Sequence, residues 1–155
     1  MILAVYVGLT EIKENRERWQ AYSDARQAAD AVDRPLLNVG CPRLYLLKYT
    51  CGDLCLDIDP GRLNLCQSAQ PVLADVRAIP FPDSYFGAVL CTHVLEHLRS
   101  VQDAQRAFSE MMRVSDGRVF IAYPSKASLL AWLHPEHRLW IEKGPAGQLY
   151  AEERA

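Results

Sequence analysis

The sequence lacks several features that would assign it to a special class of protein. Its only opening apolar run, residues 1–9, is too short to cross a membrane, and charged residues follow from Glu11. The formal net charge is only −2, so charge gives no indication of nucleic acid as a partner. Internal repeats and low-complexity stretches are also missing. These absences favour one globular domain with no stable membrane span.

The cysteines lack the spacing of a metal-binding ribbon. There are five, an odd number, and no two of them form a C-x-x-C pair. Free cysteines are commonly buried, and cytosolic proteins keep them reduced. We therefore predict reduced, partly buried thiols, a cytoplasmic protein and no metal site.

The first residues differ in pattern from the rest. Residues 1–34 are interpreted as an N-terminal arm and an amphipathic helix, and residues 35–155 as the remainder of a single globular domain. The apolar start is predicted to be a strand or a packing arm. The helix is predicted over residues 11–32, with Thr10 as its N-cap. Its residues at helical spacing are Trp19, Tyr22, Arg26 and Ala29.

Short apolar segments then alternate with helical or loop segments, which is typical of a doubly wound, mostly parallel α/β sheet. The predicted strands are residues 36–39, 54–58, 72–76, 86–91 and 119–123. The strongest helical pattern covers residues 93–112. Near the end, residues 138–142 and 148–152 flank Gly-Pro-Ala-Gly, a weak hairpin signal.

Ligands of such sheets bind beyond the carboxyl ends of the strands, so the residues that follow each strand are the candidate site. A nucleoside needs a glycine where the backbone approaches it closely, an acid for the ribose hydroxyls and a polar group at the base edge. Gly40, Asp57 and Asp75 lie at the carboxyl ends of the first three predicted strands in that order. The sequence therefore predicts a nucleoside-type ligand.

Two longer stretches carry a family resemblance. Residues 72–86, VLADVRAIPFPDSYF, and residues 93–98, HVLEHL, resemble the central block of class I S-adenosylmethionine-dependent methyltransferases of the ubiquinone-biosynthesis type. The run EMMRV at residues 110–114 is similar to the segment that leads into their fifth strand. The resemblance spans about residues 35–124, and the chain looks like a short, divergent member.

The resemblance implies a seven-stranded, Rossmann-like sheet that binds S-adenosylmethionine. It places Asp57 at the ribose hydroxyls, Asp75 and Val76 at the adenine, and residues 91–93 beside the methionine portion. The implied reaction is methyl transfer to a small-molecule or lipid-like acceptor, which needs alignment more than a general base, so no catalytic residue is assigned. The predicted cofactor-binding residues are Asn38, Gly40, Cys41, Asp57, Ile58, Asp75, Val76, Cys91, Thr92 and His93.

The first loop departs from the family pattern, which has an acid before it and two or three glycines within it. Here Asn38 and a single Gly40 are followed by Cys41 and Pro42, and a proline removes an N–H donor. This departure favours the alternative of a non-catalytic domain for cofactor sensing or protein interaction. After Tyr123, either the hairpin supplies a reduced version of the carboxyl-terminal part, or the acceptor region is missing.

Two clusters of polar residues remain. His93, Glu96 and His97 match the H-x-x-E-H pattern of inverted zincins, a remote alternative that requires both histidines one turn apart on a helix. Otherwise, Glu96 and His97 are interpreted as structural residues of that helix. The run HPEHR at residues 134–138, near Trp132 and Trp140, is predicted to line an acceptor pocket or to pack as an aromatic lid.

Overall fold

The computed structural model describes residues 2–40, 52–64, 69–144 and 147–154. Five parallel strands form one sheet in the order β3-β2-β1-β4-β5. The strands are β1 (Leu36–Val39), β2 (Leu54–Asp57), β3 (Gln70–Leu73), β4 (Ala88–Thr92) and β5 (Val119–Ala122). Because the chain moves outward in one direction from β1 to β3 and in the other from β4, the switch point lies between β1 and β4.

Burial explains the apolar character of the central strands. All residues of β1 and β2 are buried, as expected for parallel strands that are covered on both faces. The edge strand β3 is mostly exposed and contains Pro71, which an edge position tolerates because one side of the strand makes no ladder hydrogen bonds.

One face of the sheet is covered by α1 (Ile2–Asp30). The contact is made by small residues, chiefly Ala25 and Ala29, which are fully buried against Leu36 and the first residues of β4. Gly87 permits this close approach, because a Cβ atom there would lie 2.7 Å from the Ala29 Cα atom.

The other face is covered by α3 (Val101–Val114) and by the antiparallel hairpin of β6 (Leu139–Lys143) and β7 (Leu149–Glu153). The Ser100 side chain caps α3 by accepting a hydrogen bond from the Asp103 backbone. Two short helices, α2 (Pro60–Leu63) and α4 (Leu129–Leu133), and a 3₁₀ helix (Leu95–His97) complete the elements of the described residues.

The prediction for the amino end is wrong in its details. The apolar start is helical from Ile2 on, instead of a strand or arm, and the helix continues through Gly8. Thr10 therefore lies inside α1, where its hydroxyl donates to the Val7 carbonyl over 2.9 Å. Trp19, assigned to the packing stripe, is 43% exposed. None of the helices that the structure describes is long and apolar enough to span a membrane.

The helix predicted over residues 93–112 is also corrected. His93 has a φ of 54°, which an α-helix cannot accommodate, and the helix starts only after the Ser100 cap. The predicted strand at residues 72–76 ends at Leu73 instead, because Asp75 folds back to accept a hydrogen bond from the Arg77 N–H. The strand predicted over residues 36–39 is confirmed, and the boundaries of the remaining strands and of the hairpin differ from prediction by at most two residues.

Two further expectations need correction. In place of one seven-stranded sheet, the described residues form a five-stranded sheet and a separate hairpin.

Cys91 is a free, buried thiol, as predicted, and burial raises its pKa. Cys55 is disulfide-bonded, so the prediction of reduced thiols is wrong at that position. The remaining cysteines lie outside the described residues.

Candidate functional site

A cavity of about 510 Å³ lies beyond the carboxyl ends of β1 to β4, at the switch point of the sheet. Its walls come from the ends of these strands, from the beginnings of α2 and α3, and from residues 135–138. The predicted site residues that line it are Gly40, Asp57, Ile58, Asp75, Val76 and His93. Most of the strand-end prediction thus converges on one cavity, whose volume suits a small organic ligand.

Gly40 ends β1 with a φ of +84°, a conformation that favours glycine. A Cβ atom at this position would also lie 2.3 Å from Val94 Cγ2. The protein itself therefore requires glycine here, both for the backbone conformation and for the packing of the segment after β4 against the end of β1.

Asp57 ends β2 and is buried, with 7% of its surface exposed. Its Oδ1 accepts a hydrogen bond from the Asp59 N–H over 2.9 Å, which fixes the carboxylate at the cavity wall. The next residue, Ile58, is 68% exposed and lines the same cavity. An acid and an accessible apolar side chain are thus adjacent, which suits a ligand with both hydroxyl groups and a flat ring.

Asp75 is held by Arg77, whose Nη2 donates to Asp75 Oδ2 over 2.6 Å. The same guanidinium donates through Nη1 to Asp103 Oδ1 over 2.9 Å. The hydrogen bonds from Arg77 hold the pKa of Asp75 below its usual value. The carboxylate therefore stays ionised at neutral pH and accepts hydrogen bonds at the cavity wall.

His93, which follows β4, connects the cavity to α1. Its Nε2 accepts a hydrogen bond from Arg18 Nε over 2.8 Å, which places the imidazole proton on Nδ1, 3.3 Å from Glu96 Oε1. Arg18 in turn lies 3.8 Å from the buried Glu14. Against the cost of burial, His93 lowers the pKa of Glu96, so this fully buried carboxyl group is ionised.

Three predicted residues that the structure describes do not line the cavity. Asn38 is fully buried on the α1 side of the sheet, where its Nδ2 donates to the Gly40 carbonyl over 3.1 Å. Cys91 points into the core, and Thr92 ends β4 half-buried. Cys41 lies outside the described residues.

The geometry does not support an inverted zincin. His93 and Glu96 contact each other in a turn, and only residues 95–97 form a 3₁₀ helix, so the two histidines are not one α-helical turn apart. His97 instead packs against His137, with ring centroids 4.9 Å apart.

The loop at residues 134–138 lies beside this cavity. Pro135, Glu136 and Arg138 line the cavity. Trp132 and Trp140 pack together behind it, with ring centroids 4.8 Å apart and the Arg154 guanidinium over both rings. Burial is the main cause that lowers the pKa of His137, to about 4, so this imidazole is neutral at pH 7.

Sequence reasoning missed several residues around the cavity. Arg77, Arg99 and Asp103 all line it. Arg77 directly follows Val76, which was assigned to the site, and Arg99 directly follows the HVLEHL segment. A positive charge at these positions was a signal that could have identified both residues. Arg18 had no such signal, because only the packing of α1 brings it to His93.

The order of the parallel strands and the acid after β2 at a switch-point cavity define a Rossmann-like domain of the type that binds nucleoside-containing ligands. The family model described as a methyltransferase domain matches residues 37–121. The chain belongs to this family and is a divergent member of the class I S-adenosylmethionine-dependent methyltransferases.

Solved structures with the same fold are distant in sequence. PH0226 from Pyrococcus horikoshii OT3 is 17% identical with a TM-score of 0.52, over 83% of this chain and 65% of that protein. YcgJ from Bacillus subtilis is 18% identical with a TM-score of 0.50, over 69% of this chain and 50% of that protein. The chain thus spans half of YcgJ and less than two thirds of PH0226.

A third similar structure is the N-methyltransferase NodS from Bradyrhizobium japonicum WM9, in complex with S-adenosyl-L-homocysteine. It is 12% identical with a TM-score of 0.47, over 68% of this chain and 67% of that protein. No curated protein has significant similarity to the sequence.

Proposed function

We propose that the chain binds S-adenosylmethionine in the cavity at the ends of β1 to β4 and transfers its methyl group to a small-molecule or lipid-like acceptor. The observation that carries this proposal is the convergence of Gly40, Asp57, Asp75 and His93 on one cavity in a chain of the methyltransferase family.

The residues present fit the cofactor. Asp57 supplies a fixed carboxylate for the ribose hydroxyls, since its position is set by the Asp59 N–H. Ile58 and Val76 supply apolar surface for the adenine ring, and Asp75 supplies an acceptor at its edge. The side chain of His93 is oriented by Arg18 and Glu96 and lines the same cavity, where it contributes polar surface for the methionine portion.

When bound, the cofactor supplies an activated methyl group on a sulfonium with a good leaving group. The task of the protein is therefore to align the acceptor and to exclude water. The loop at residues 135–138 is the part of the wall suited to this task, because Pro135, Glu136 and Arg138 line the cavity outside the strand ends. It is held there by a hydrogen bond of 2.7 Å from the Arg138 N–H to the Glu96 carbonyl.

Two cavity arginines favour an acceptor or cofactor group with negative charge. Arg99 and Arg138 both line the cavity, and within the described part of the chain neither side chain forms an ion pair. A guanidinium recognises a carboxylate or phosphate through parallel hydrogen bonds. We therefore propose that the methionine carboxylate or an anionic group of the acceptor binds on this side.

Calorimetric titration with S-adenosylmethionine and S-adenosylhomocysteine tests the cofactor assignment. We expect both ligands to bind the purified protein, and Asp57→Ala to weaken binding by at least about tenfold, because a charged hydrogen-bond acceptor is lost. The matched control is Asp83→Ala, which removes a carboxylate that is 78% exposed and does not line the cavity. Absence of binding by either ligand to the folded protein would refute the proposal.

Radiolabelled S-adenosylmethionine tests transfer and the class of acceptor. The protein is incubated with aqueous and organic fractions of a cell extract, and labelled product is followed in each phase. Label in the organic phase indicates a lipid-like acceptor, and label in the aqueous phase indicates a polar small molecule. Binding without transfer to either fraction would favour a domain that senses the cofactor without catalysis.

A further inference from the structure

Three histidines from two separate segments meet beside the cavity. His97 belongs to the 3₁₀ helix after β4, and His134 and His137 belong to the loop between α4 and β6. One ring nitrogen from each lies within 4.8 Å of the other two, and all three side chains are half-buried. Among the described residues, this is the only group of three or more potential ligands arranged so closely.

Hydrogen bonding leaves nitrogens of this cluster available. His97 Nδ1 lies 3.2 Å from the Glu136 carbonyl oxygen, which can only accept, so the proton is on Nδ1 and the lone pair is on Nε2. Metal-binding histidines commonly have their second nitrogen held by a carbonyl in this way. His137 Nδ1 is buried and has no hydrogen-bond partner among the described residues. His134 Nδ1 accepts only a long hydrogen bond, 3.4 Å, from the Glu136 N–H.

Among the described residues, a buried carboxylate next to the cluster lacks well-oriented hydrogen-bond donors that would stabilise its negative charge. Glu96 is 1% exposed and interacts electrostatically with His97 and His137. Its Oε1 lies 3.3 Å from His93 Nδ1, but neither oxygen has a hydrogen bond of good geometry in the part of the chain that the structure describes. A buried carboxylate is costly without such partners, and a nearby cation would offset that cost.

We propose that His97, His134 and His137 bind one divalent transition-metal ion of the Zn²⁺ class. Three imidazoles with an open fourth position are a known ligand set for such ions. Tetrahedral coordination at about 2.1 Å places neighbouring nitrogens about 3.4 Å apart, and the three ligand atoms lie within 4.8 Å of one another. The rings of His134 and His137 are stacked, with centroids 4.2 Å apart, so one of the two must turn for both lone pairs to point at the ion.

The ion would tie the loop before β6 to the turn after β4. That loop carries Pro135 and Glu136, and His97 itself lines the cavity, so the ion would fix one wall of the cavity. The prediction of no metal site rested on the spacing of the cysteines, and in the sequence the three histidines belong to two separate segments. The inference does not depend on S-adenosylmethionine binding.

Metal titration of the untagged, full-length protein tests the site. After treatment with a chelator and dialysis, Zn²⁺ binding is followed by calorimetry and Co²⁺ binding by its visible absorption. We expect one ion per chain, a tetrahedral Co²⁺ spectrum and an increase in Tm with Zn²⁺. His97→Gln and His137→Gln should each weaken binding by at least about a hundredfold. Mutation of a residue that only hydrogen-bonds to a metal ligand already lowers affinity by up to about a hundredfold, and loss of a ligand itself costs more.

Asp116→Asn is the control, since it removes an exposed carboxylate that belongs neither to the cluster nor to the cavity wall. It should bind the ion as the unmodified protein does. X-ray absorption of the Zn²⁺-loaded unmodified protein should report three imidazole ligands, and this measurement stays decisive if a variant does not fold. No stoichiometric ion, fewer than three imidazoles, or equal loss in Asp116→Asn would overturn the proposal.

Discussion

The β2–β3 side of the cavity carries a partly exposed network of paired charges, formed by Asp75, Arg77 and Asp103, whereas the β1–β4 side carries the buried Glu96 and a close contact between Gly40 and Val94. On the first side, Arg77 bridges Asp75 and Asp103 through short hydrogen bonds that remain accessible to water. On the second, Gly40 touches Val94, and the imidazole of His93 is the only close partner of the Glu96 carboxylate within the described residues.

The comparison indicates that the two sides have different tasks. A saturated, exposed ion-pair network contributes little to stability but presents carboxylate oxygens in a fixed orientation to a ligand. A buried network with few partners is sensitive to every substitution, and it couples α1 to the end of β4 through Arg18 and His93. The β2–β3 side thus suits recognition, and the β1–β4 side holds the cavity together.

Substitution at Gly40 should show the largest effect. Gly40→Ala adds the cost of a left-handed conformation, about 1 kcal/mol, to an overpacking cost of about 1–3 kcal/mol against Val94. Urea denaturation should therefore show a loss of roughly 2–4 kcal/mol. The control is Gly117→Ala, which has a similar φ of +82° but leaves 3.6 Å to the nearest atom, so it should lose only the conformational part. Equal losses would contradict the close contact.

Removal of Arg18 should have the next largest effect. Arg18→Leu leaves Glu14, whose side chain is 5% exposed, without its cationic neighbour and takes a donor from His93. The free energy of unfolding should fall by on the order of 3 kcal/mol, as for other broken buried pairs. Lys13→Leu on the same helix is the control, because its ion pair with Glu17 is exposed and worth little. A loss of unfolding free energy no greater than that of Lys13→Leu would show that the β1–β4 side tolerates the removal of Arg18.

The smallest effect should be a pH dependence from the β2–β3 side. Arg77 lowers the pKa of Asp75 in the folded protein, so the ionised pair stabilises the fold above the pKa of the unfolded chain, near 4. That contribution should be lost as the pH falls through the lower pKa of the folded state. In denaturation curves between about pH 5 and 2, the free energy of unfolding should accordingly fall less steeply for Asp75→Asn than for the unmodified protein. A parallel pH profile for the variant would argue against the Arg77 pair.

Strand ends were predictable because their signals are local. Asp57, Asp75 and Gly40 each follow a run of apolar residues, and parallel strands bring such positions to one edge of the sheet. Asn38 and Cys91 follow the same rule in sequence, but their side chains point into the protein interior. Successive side chains of a strand point to opposite faces of the sheet, so the direction of a side chain depends on its exact position in the strand. For short strands with uncertain boundaries, the sequence does not give that position.

Features that depend on distant segments were not predictable. The α-helix predicted from residue 93 does not begin there, because His93 has a left-handed backbone conformation. Nothing in the local sequence predicts that conformation. The contact of His97 with His137 joins segments forty residues apart and depends on how the hairpin folds back. The role of Arg18 likewise requires α1 to lie against the sheet.

Arg154 has a consequence for the order in which the molecule assembles. Its guanidinium donates to the carbonyls of Ala131, Trp132, His134 and His137, and its backbone N–H donates to the Arg138 carbonyl. The hydrogen bonds from Arg154 to the loop before β6 therefore form only after β7 has paired with β6. During synthesis, the five-stranded sheet can form first, and this loop becomes ordered last. In hydrogen exchange, its amides should open independently of the sheet, as a separate unit of lower stability.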